Sequence, residues 1–199
     1  MHIDSVDQLR ALYQGPKERA LKKELPTLDI HCRQYIALSP FVVVASGDAA
    51  GQLDASPRGG LPGFVKVLDE RTVLIPDSPG NNRLDTLENI LGANEVGLLF
   101  LIPGVDETLR LNGVASLHTD EEYLDVCTSE TRRPKLVIKV TVRQAYLHCA
   151  KAFMRSRLWD QASQIDRHSM PTMNEMIGSQ TGIHSESQEE TLKRYLTEL

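Results

Sequence analysis

Hydrophobic residues in the first part of the chain recur at helical spacing. Ser5 has the spacing of a capping box with Gln8, and a helix that begins there is expected to end at Gly15. A second helix is predicted over residues 17–25 and a third one after Thr27, which can cap it. The chain therefore begins with a helical extension, over about residues 1–38.

After this extension the pattern changes to short runs of β-branched and apolar residues that are separated by turns. These runs are typical of hairpin-connected strands, and two short helices interrupt them, over residues 82–91 and 120–127. From about residue 150 to residue 199 the chain is predicted to be helix and polar loop, with a surface segment over residues 180–190. The predicted strands are residues 41–46, 52–56, 64–68, 72–76, 95–102, 108–117 and 135–147.

This order of elements predicts an antiparallel α+β protein. A helix inserted between hairpins fits a β-barrel with peripheral helices better than a sandwich. A length of 199 residues, with 41% hydrophobic and 25% charged residues, fits a single domain over residues 1–199.

Charge and hydropathy exclude several classes of partner. A formal net charge of -5 and an isoelectric point near 5.7 argue against nucleic acid, although a local basic pocket is still permitted. The longest apolar runs, such as residues 96–103, are too short to cross a bilayer, and Asp4 and Asp7 argue against a signal peptide. The three cysteines suggest free thiols in a reducing compartment, so a cytoplasmic location is expected.

Two loops carry residues suited to binding an anion. In the first, Ser56 and Arg58 precede Gly59 and Gly60, which leave the backbone free to approach a ligand. The second carries Arg83, which is expected in the first turn of a helix, where backbone N–H groups and the helix dipole favour an anion. Both loops follow successive strands and are expected to converge. By their spacing alone, they are better explained as turns that bind nothing.

Residues 69–87, DERTVLIPDSPGNNRLDTL, resemble the flavin-phosphate segment of the pyridoxamine 5′-phosphate oxidase family. Residues 108–113, TLRLNG, resemble the family's strand motif with a polar flavin contact. Residues 41–64, FVVVASGDAAGQLDASPRGGLPGF, resemble its opening strands, and more closely those of a bacterial subgroup of uncharacterised FMN-dependent members. The resemblance extends over about residues 28–160.

The resemblance implies an FMN-binding split β-barrel that forms a homodimer, with FMN at the interface of the two subunits. It places the strand backbone of residues 74–76 beside the isoalloxazine, and Asn82 and Arg83 at the flavin phosphate. Lys151 and Arg155 share a helix face, where either solvent or an anion would balance their charges. The residues expected to bind the cofactor are Ser56, Arg58, Gly59, Leu74, Ile75, Pro76, Asn82, Arg83, Thr108, Arg110, Lys151 and Arg155.

The function implied is that of an FMN-dependent oxidoreductase acting on a small, anionic molecule. The tryptophan and the arginine-histidine motif with which the oxidase proper contacts flavin and substrate have no counterpart in the C-terminal residues KRYLTEL, which speaks against pyridoxamine 5′-phosphate as the substrate. The alternative is a non-catalytic protein that binds or carries FMN, haem or a deazaflavin. No metal site is expected, and His118 and His148 are candidate acid–base groups only because histidine as a residue type can exchange a proton near neutral pH.

Overall fold

The computed structural model describes residues 2–129, 132–183 and 186–198. Seven strands form one sheet: β1 Phe41–Gly47, β2 Leu53–Gly59, β3 Lys66–Val67, β4 Thr72–Pro76, β5 Glu95–Leu101, β6 Thr108–His118 and β7 Val137–His148. The helices are α1 Val6–Ala11, α2 Glu18–Lys22, α3 Ile30–Leu38, α4 Asp85–Ala93, α5 Glu121–Cys127, α6 Lys151–Ser156, α7 Met173–Thr181 and α8 Gln188–Glu198. Two short 3₁₀ turns, Gln161–Ser163 and Arg167–Ser169, lie between α6 and α7.

The strands are ordered β2-β1-β5-β6-β7-β4-β3, and every neighbouring pair is antiparallel. Buried side chains of β1 and β4, which lie near opposite ends of this order, belong to the same core cluster, so the sheet curves around it. The split β-barrel of the α+β class is thereby confirmed. The strands contribute to this core chiefly Val42, Val44, Val73, Ile75, Leu98, Phe100, Leu109, Leu111, Ile138 and Val140.

Helices pack on this sheet from two sides. Side chains of α3 and α4, among them Ile36 and Ile90, complete the main core. On the other face, α5 covers Leu74 and Val137 with Leu124 and forms a smaller cluster. Alternation along β4 therefore places Leu74 and Ile75 in two different clusters.

Several predicted boundaries are wrong. The N-cap of α3 is Asp29, whose side chain accepts from the Cys32 N–H at 2.8 Å, and it is not Thr27. Helix α4 begins at Asp85, three residues later than predicted, because Asn82 and Leu84 have φ angles of 59° and 61°. Arg83 therefore precedes the helix and does not lie in its first turn.

The strand predicted over residues 64–68 contains only Lys66 and Val67. The segment predicted as a surface segment over residues 180–190 contains the last residues of α7 and the first residues of α8. Its residues 184 and 185 lie outside the described part of the chain.

The structure divides into two compact units, Met1–Arg155 and Ser156–Leu199. The first contains the whole sheet. In the second, α7 has a complete capping box between Thr172 and Glu175, and Asn174 donates to Thr191 Oγ1 at 2.7 Å. A single domain over residues 1–199 stays a prediction. None of the described helices is both long and apolar enough to span a bilayer.

Candidate cofactor-binding cleft

The two segments singled out from the sequence line one cleft. It has a volume of about 820 Å³. The expected cofactor-binding residues that line it are Ser56, Arg58, Gly59, Pro76, Asn82 and Arg83. The structure thus brings together half of the twelve predicted residues.

The two walls come from strands that are not neighbours. Strand β2 is an edge strand of the sheet, and four strands separate it from β4. The expectation of two loops after successive strands is therefore wrong. Ser56, Arg58 and Gly59 lie within β2 itself, and β2 and β4 are not neighbours in the sheet, although both segments line the same cleft. Curvature of the sheet around its core explains how they meet.

Two side-chain hydrogen bonds connect α4 to β2, which forms the first wall of the cleft, and to the neighbouring strand β1. Thr86 Oγ1 donates to Asp54 Oδ2 of β2 at 2.6 Å. Asn89 Nδ2 donates to Ser46 Oγ of β1 at 3.0 Å. Because Thr86 is only 3% exposed, the first of these bonds is shielded from water on the helix side.

The loop before α4 leaves the helix N-terminus available to a ligand. Leu84 occupies the N-cap position and provides no side-chain hydrogen bond to the first turn. The N–H groups of a first turn and the helix dipole attract anions. Arg83 lies directly before this turn, and its Nε forms an ion pair with Asp85 Oδ2 at 2.8 Å, in which both side chains are exposed.

The cleft is more cationic than the chain as a whole. Its lining carries five cationic side chains, those of Arg58, Arg83, Arg132, Arg133 and Lys135, against the three carboxylates of Asp54, Asp77 and Asp85. The complete chain has a formal net charge of -5. An anionic ligand is therefore favoured in this cleft.

Arg133 and Arg58 are engaged with protein partners, as Arg83 is with Asp85. Arg133, in the segment between α5 and β7, pairs with Glu121 at 2.5 Å and with Asp125 at 2.7 Å, and so connects that segment to α5. Arg58 Nη1 donates to Ser56 Oγ at 2.5 Å and to the Pro57 carbonyl at 2.9 Å. Burial raises the pKa of the Asp77 carboxyl, and the nearby Arg58 opposes that change.

The lining also contains residues that the sequence analysis missed. Among the described carboxylates, none forms an ion pair with Arg132 or Lys135, which remain available to an anion. The basic run of residues 132–135, RRPK, is the only local signal that could have indicated them.

Leu74 and Ile75 cannot contact a ligand through their side chains, because both are fully buried. Strand β3 pairs with β4 only at Val73 and Leu74. The edge of β4 on that side is therefore unpaired at Ile75 and Pro76, and Pro76 lines the cleft. Backbone contact with a ligand is possible only at this end of the strand.

The other four predicted residues do not line the cleft. Thr108 is buried at the start of β6. Arg110 lies on the outward face of the sheet, where its Nη1 donates to the Tyr146 hydroxyl at 3.1 Å and its guanidinium lies 5.5 Å from the centre of that ring. Lys151 and Arg155 are exposed on α6.

Comparisons with known proteins agree with this architecture. The family model of pyridoxamine 5′-phosphate oxidase matches residues 28–149. A variant of HupZ from Group A Streptococcus is 18% identical, with a TM-score of 0.51 over 61% of this chain and 99% of that one. An FMN-binding protein from Syntrophomonas wolfei is 13% identical, with a TM-score of 0.47 over 59% and 83% of the two chains.

A third solved structure, General Stress Protein 26 from Bacillus anthracis, is 12% identical, with a TM-score of 0.44 over 59% of this chain and 94% of that one. Of these three structures only the HupZ variant exceeds a TM-score of 0.5, and at its level of identity it shows a shared fold. No curated protein sequence matches this chain.

Proposed function

The chain belongs to the pyridoxamine 5′-phosphate oxidase family, and from that membership we propose that it is an FMN-binding flavoprotein that oxidises or reduces a small anionic molecule. The observation that supports this proposal is the cationic cleft that Arg58 and Arg83 line from two separate walls. Its volume of about 820 Å³ is in the range of small-molecule and cofactor sites.

The phosphate of FMN fits the residues at the start of α4. Arg83 and Asp85 form an exposed ion pair, and such pairs contribute only about 0–1 kcal/mol. A phosphate dianion can therefore replace Asp85 at little cost. Arg58 and the open first turn of α4 provide further donors, because a guanidinium binds phosphate through two parallel N–H bonds.

The ring system of the flavin would lie against the unpaired edge of β4 at Ile75 and Pro76. When bound, the flavin supplies hydride or electron transfer, and the protein supplies orientation and charge. The usual axial ligands of haem iron are histidine, cysteine, tyrosine and methionine. None of these four residue types occurs among the described residues that line the cleft. This favours a flavin over haem in the cleft.

A homodimer is part of the proposal. The outward face of β1 and β5 carries the half-buried apolar side chains of Val43, Leu99 and Leu101, next to the exposed Phe41. A second copy that covers this face could bring Arg110 of one subunit towards the cofactor of the other. Light scattering should give the mass of a dimer, and a monomer mass with FMN bound would refute this part alone.

The cofactor is tested by titrating the protein with FMN and with riboflavin, which lacks the phosphate, and following flavin fluorescence. For Arg58→Ala and for Arg83→Ala we expect FMN affinity to fall about 10- to 150-fold, which corresponds to the loss of a hydrogen bond to a charged group. Riboflavin affinity should hardly change in either variant. The matched control is Arg143→Ala, since Arg143 pairs with Glu95 outside the cleft.

Equal affinities of the wild-type protein for FMN and riboflavin would refute the phosphate site. Refusal of both flavins, together with binding of a deazaflavin, would change the cofactor and keep the cleft. The cleft-lining residues include no histidine, an observation that also favours a second candidate, a non-catalytic flavin carrier. Aerobic turnover with NAD(P)H would support the enzyme, whereas bound flavin that stays oxidised would support the carrier.

A further inference from the structure

Three polar side chains at the end of β6 form a continuous hydrogen-bond chain outside the cleft. Ser116 Oγ lies 2.8 Å from His118 Nε2, and His118 Nδ1 lies 2.8 Å from Asp120 Oδ2. Ser116 and His118 are two residues apart on a strand, so both side chains project to the same face. A hydroxyl, an imidazole and a carboxylate in this order are the components of an activated serine nucleophile.

The carboxylate is directed at the imidazole although another partner is adjacent to it. Asp120 occupies the N-cap position of α5, where an aspartate normally accepts from the first-turn N–H groups, yet its side chain makes no capping hydrogen bond. It pairs with His118, and that hydrogen bond lowers the pKa of Asp120. A carboxylate at Nδ1 favours the tautomer in which Nε2 can accept the serine proton.

Two further residues hold the imidazole and place a positive charge nearby. The ring of Tyr123 meets His118 edge-on, with centroids 5.3 Å apart. Lys139 is the register partner of Ser116 on β7, and directly opposite residues have Cβ atoms about 4.5–5.5 Å apart. Its Nζ donates to the Tyr123 hydroxyl at 2.8 Å, which fixes the ammonium group at the ring that packs against His118.

We propose that Ser116 is the nucleophile of a second site in this protein, one that transfers acyl groups from small activated carboxylic esters to water. Ser116 Oγ forms a bond to the ester carbonyl carbon while His118 Nε2 takes the hydroxyl proton. The bond to the leaving oxygen then breaks, and His118 returns the proton to that oxygen. Water hydrolyses the acyl-serine by the same proton transfer, and Lys139 stabilises the negative charge on the carbonyl oxygen.

This site is independent of the proposed flavin site. Strand β5 pairs with β6 only as far as Val114, so Ser116 lies beyond the sheet face assigned to the dimer. Ser116 is exposed and does not line the cleft, which leaves its hydroxyl accessible. No flavin takes part in the reaction, so the outcome does not depend on the cofactor.

The test uses p-nitrophenyl acetate with the full chain, follows p-nitrophenol release, and locates the acetyl group by peptide mass spectrometry. We expect an acetyl group on Ser116 and loss of the reaction in Ser116→Ala. In His118→Gln, acylation should slow about 10²- to 10⁴-fold, the usual contribution of a general base. Ser163→Ala, which changes an exposed serine outside the cluster, is the matched control and should behave as wild type.

Acetylation confined to lysines or to other serines would overturn the proposal. So would equal rates in Ser116→Ala and Ser163→Ala. Because loss of His118 could also disturb the start of α5, thermal melting is measured for each variant. Asp120→Asn serves as a second test: it should slow acylation of Ser116 while the melting temperature stays close to that of the wild-type protein, and an unchanged rate would contradict the assigned role of the carboxylate.

Discussion

Replacing Thr86 by valine tests whether its hydrogen bond to Asp54 holds α4 against the first wall of the cleft. The substitution keeps the shape of the side chain and removes only the hydroxyl. In the wild-type protein this hydroxyl donates to a carboxylate oxygen at 2.6 Å from a position that is 3% exposed. Nothing else described donates to that oxygen.

The magnitude follows from the burial of the two partners. A hydrogen bond to a charged group contributes about 1.5–3 kcal/mol when its loss leaves the charge unsatisfied. Because Asp54 is half-buried, water can solvate part of the carboxylate after the substitution. We therefore expect Thr86→Val to lower the free energy of unfolding by about 1.5–2 kcal/mol, the lower part of that range.

The assay is urea unfolding followed by circular dichroism, with the m-value as a check that the unfolded state has not changed. Thr86→Ser keeps the hydroxyl and removes a methyl group, which costs about 0.8 kcal/mol, so it should be the less damaging substitution. A double-mutant cycle with Asp54→Ala, which removes the acceptor, should give a coupling free energy of about 1 kcal/mol or more. A coupling near zero, or a Thr86→Val variant as stable as the wild type, would show that this bond does not hold the helix.

Three further outcomes are expected. At neutral pH, Asp29→Ala should cost about 0.5–2 kcal/mol of stability, because Asp29 caps α3. The backbone hydrogen bond from Cys32 lowers the pKa of Asp29 below 3.8. The stability difference, measured by urea unfolding, should therefore persist above pH 3.8 and shrink as the pH falls through the lower pKa of the folded state. A stability difference that does not depend on pH would contradict this reasoning. A thiol reagent at pH 8 should label only the exposed Cys149 in the native chain, and all three cysteines after unfolding. The reason is that burial raises the pKa of Cys32 to about 12 and that of Cys127 to about 11. Fast labelling of a second thiol in the native chain would refute this prediction. Gly113→Ala should lower the free energy of unfolding by about 1–3 kcal/mol in thermal or urea unfolding, because the new Cβ would lie 2.3 Å from the Thr141 carbonyl oxygen. The control is Gly97→Ala, whose Cβ would lie 3.4 Å from its nearest atom. Equal effects of the two substitutions would argue against a backbone clash.

Local patterns predicted the elements well because each depends on neighbouring residues. Alternation and turn residues located all seven strands, and Ser5 caps α1 as its spacing indicated. One error occurs where two good N-cap residues lie close together. Thr27 and Asp29 are both good N-caps, and only packing of α3 on the core decides between them. Helix α4 begins later than predicted because two residues before it adopt left-handed backbone conformations, which hydrophobic periodicity does not reveal.

Residue types and their spacing alone indicated two segments that carry an arginine beside small and turn-forming residues, and both segments line the cleft. It did not reveal Arg132 and Lys135, which complete the lining from a segment about fifty residues further along the chain. Nor did it reveal that Asp54 binds Thr86. Both depend on the curvature of a sheet in which four strands separate β2 from β4. That curvature arises only when the inward side chains of β1, β4, β5, β6 and β7 pack into one core. Residue types and their local spacing can be read from the sequence, whereas the approach of β2 to β4 depends on packing of the complete sheet.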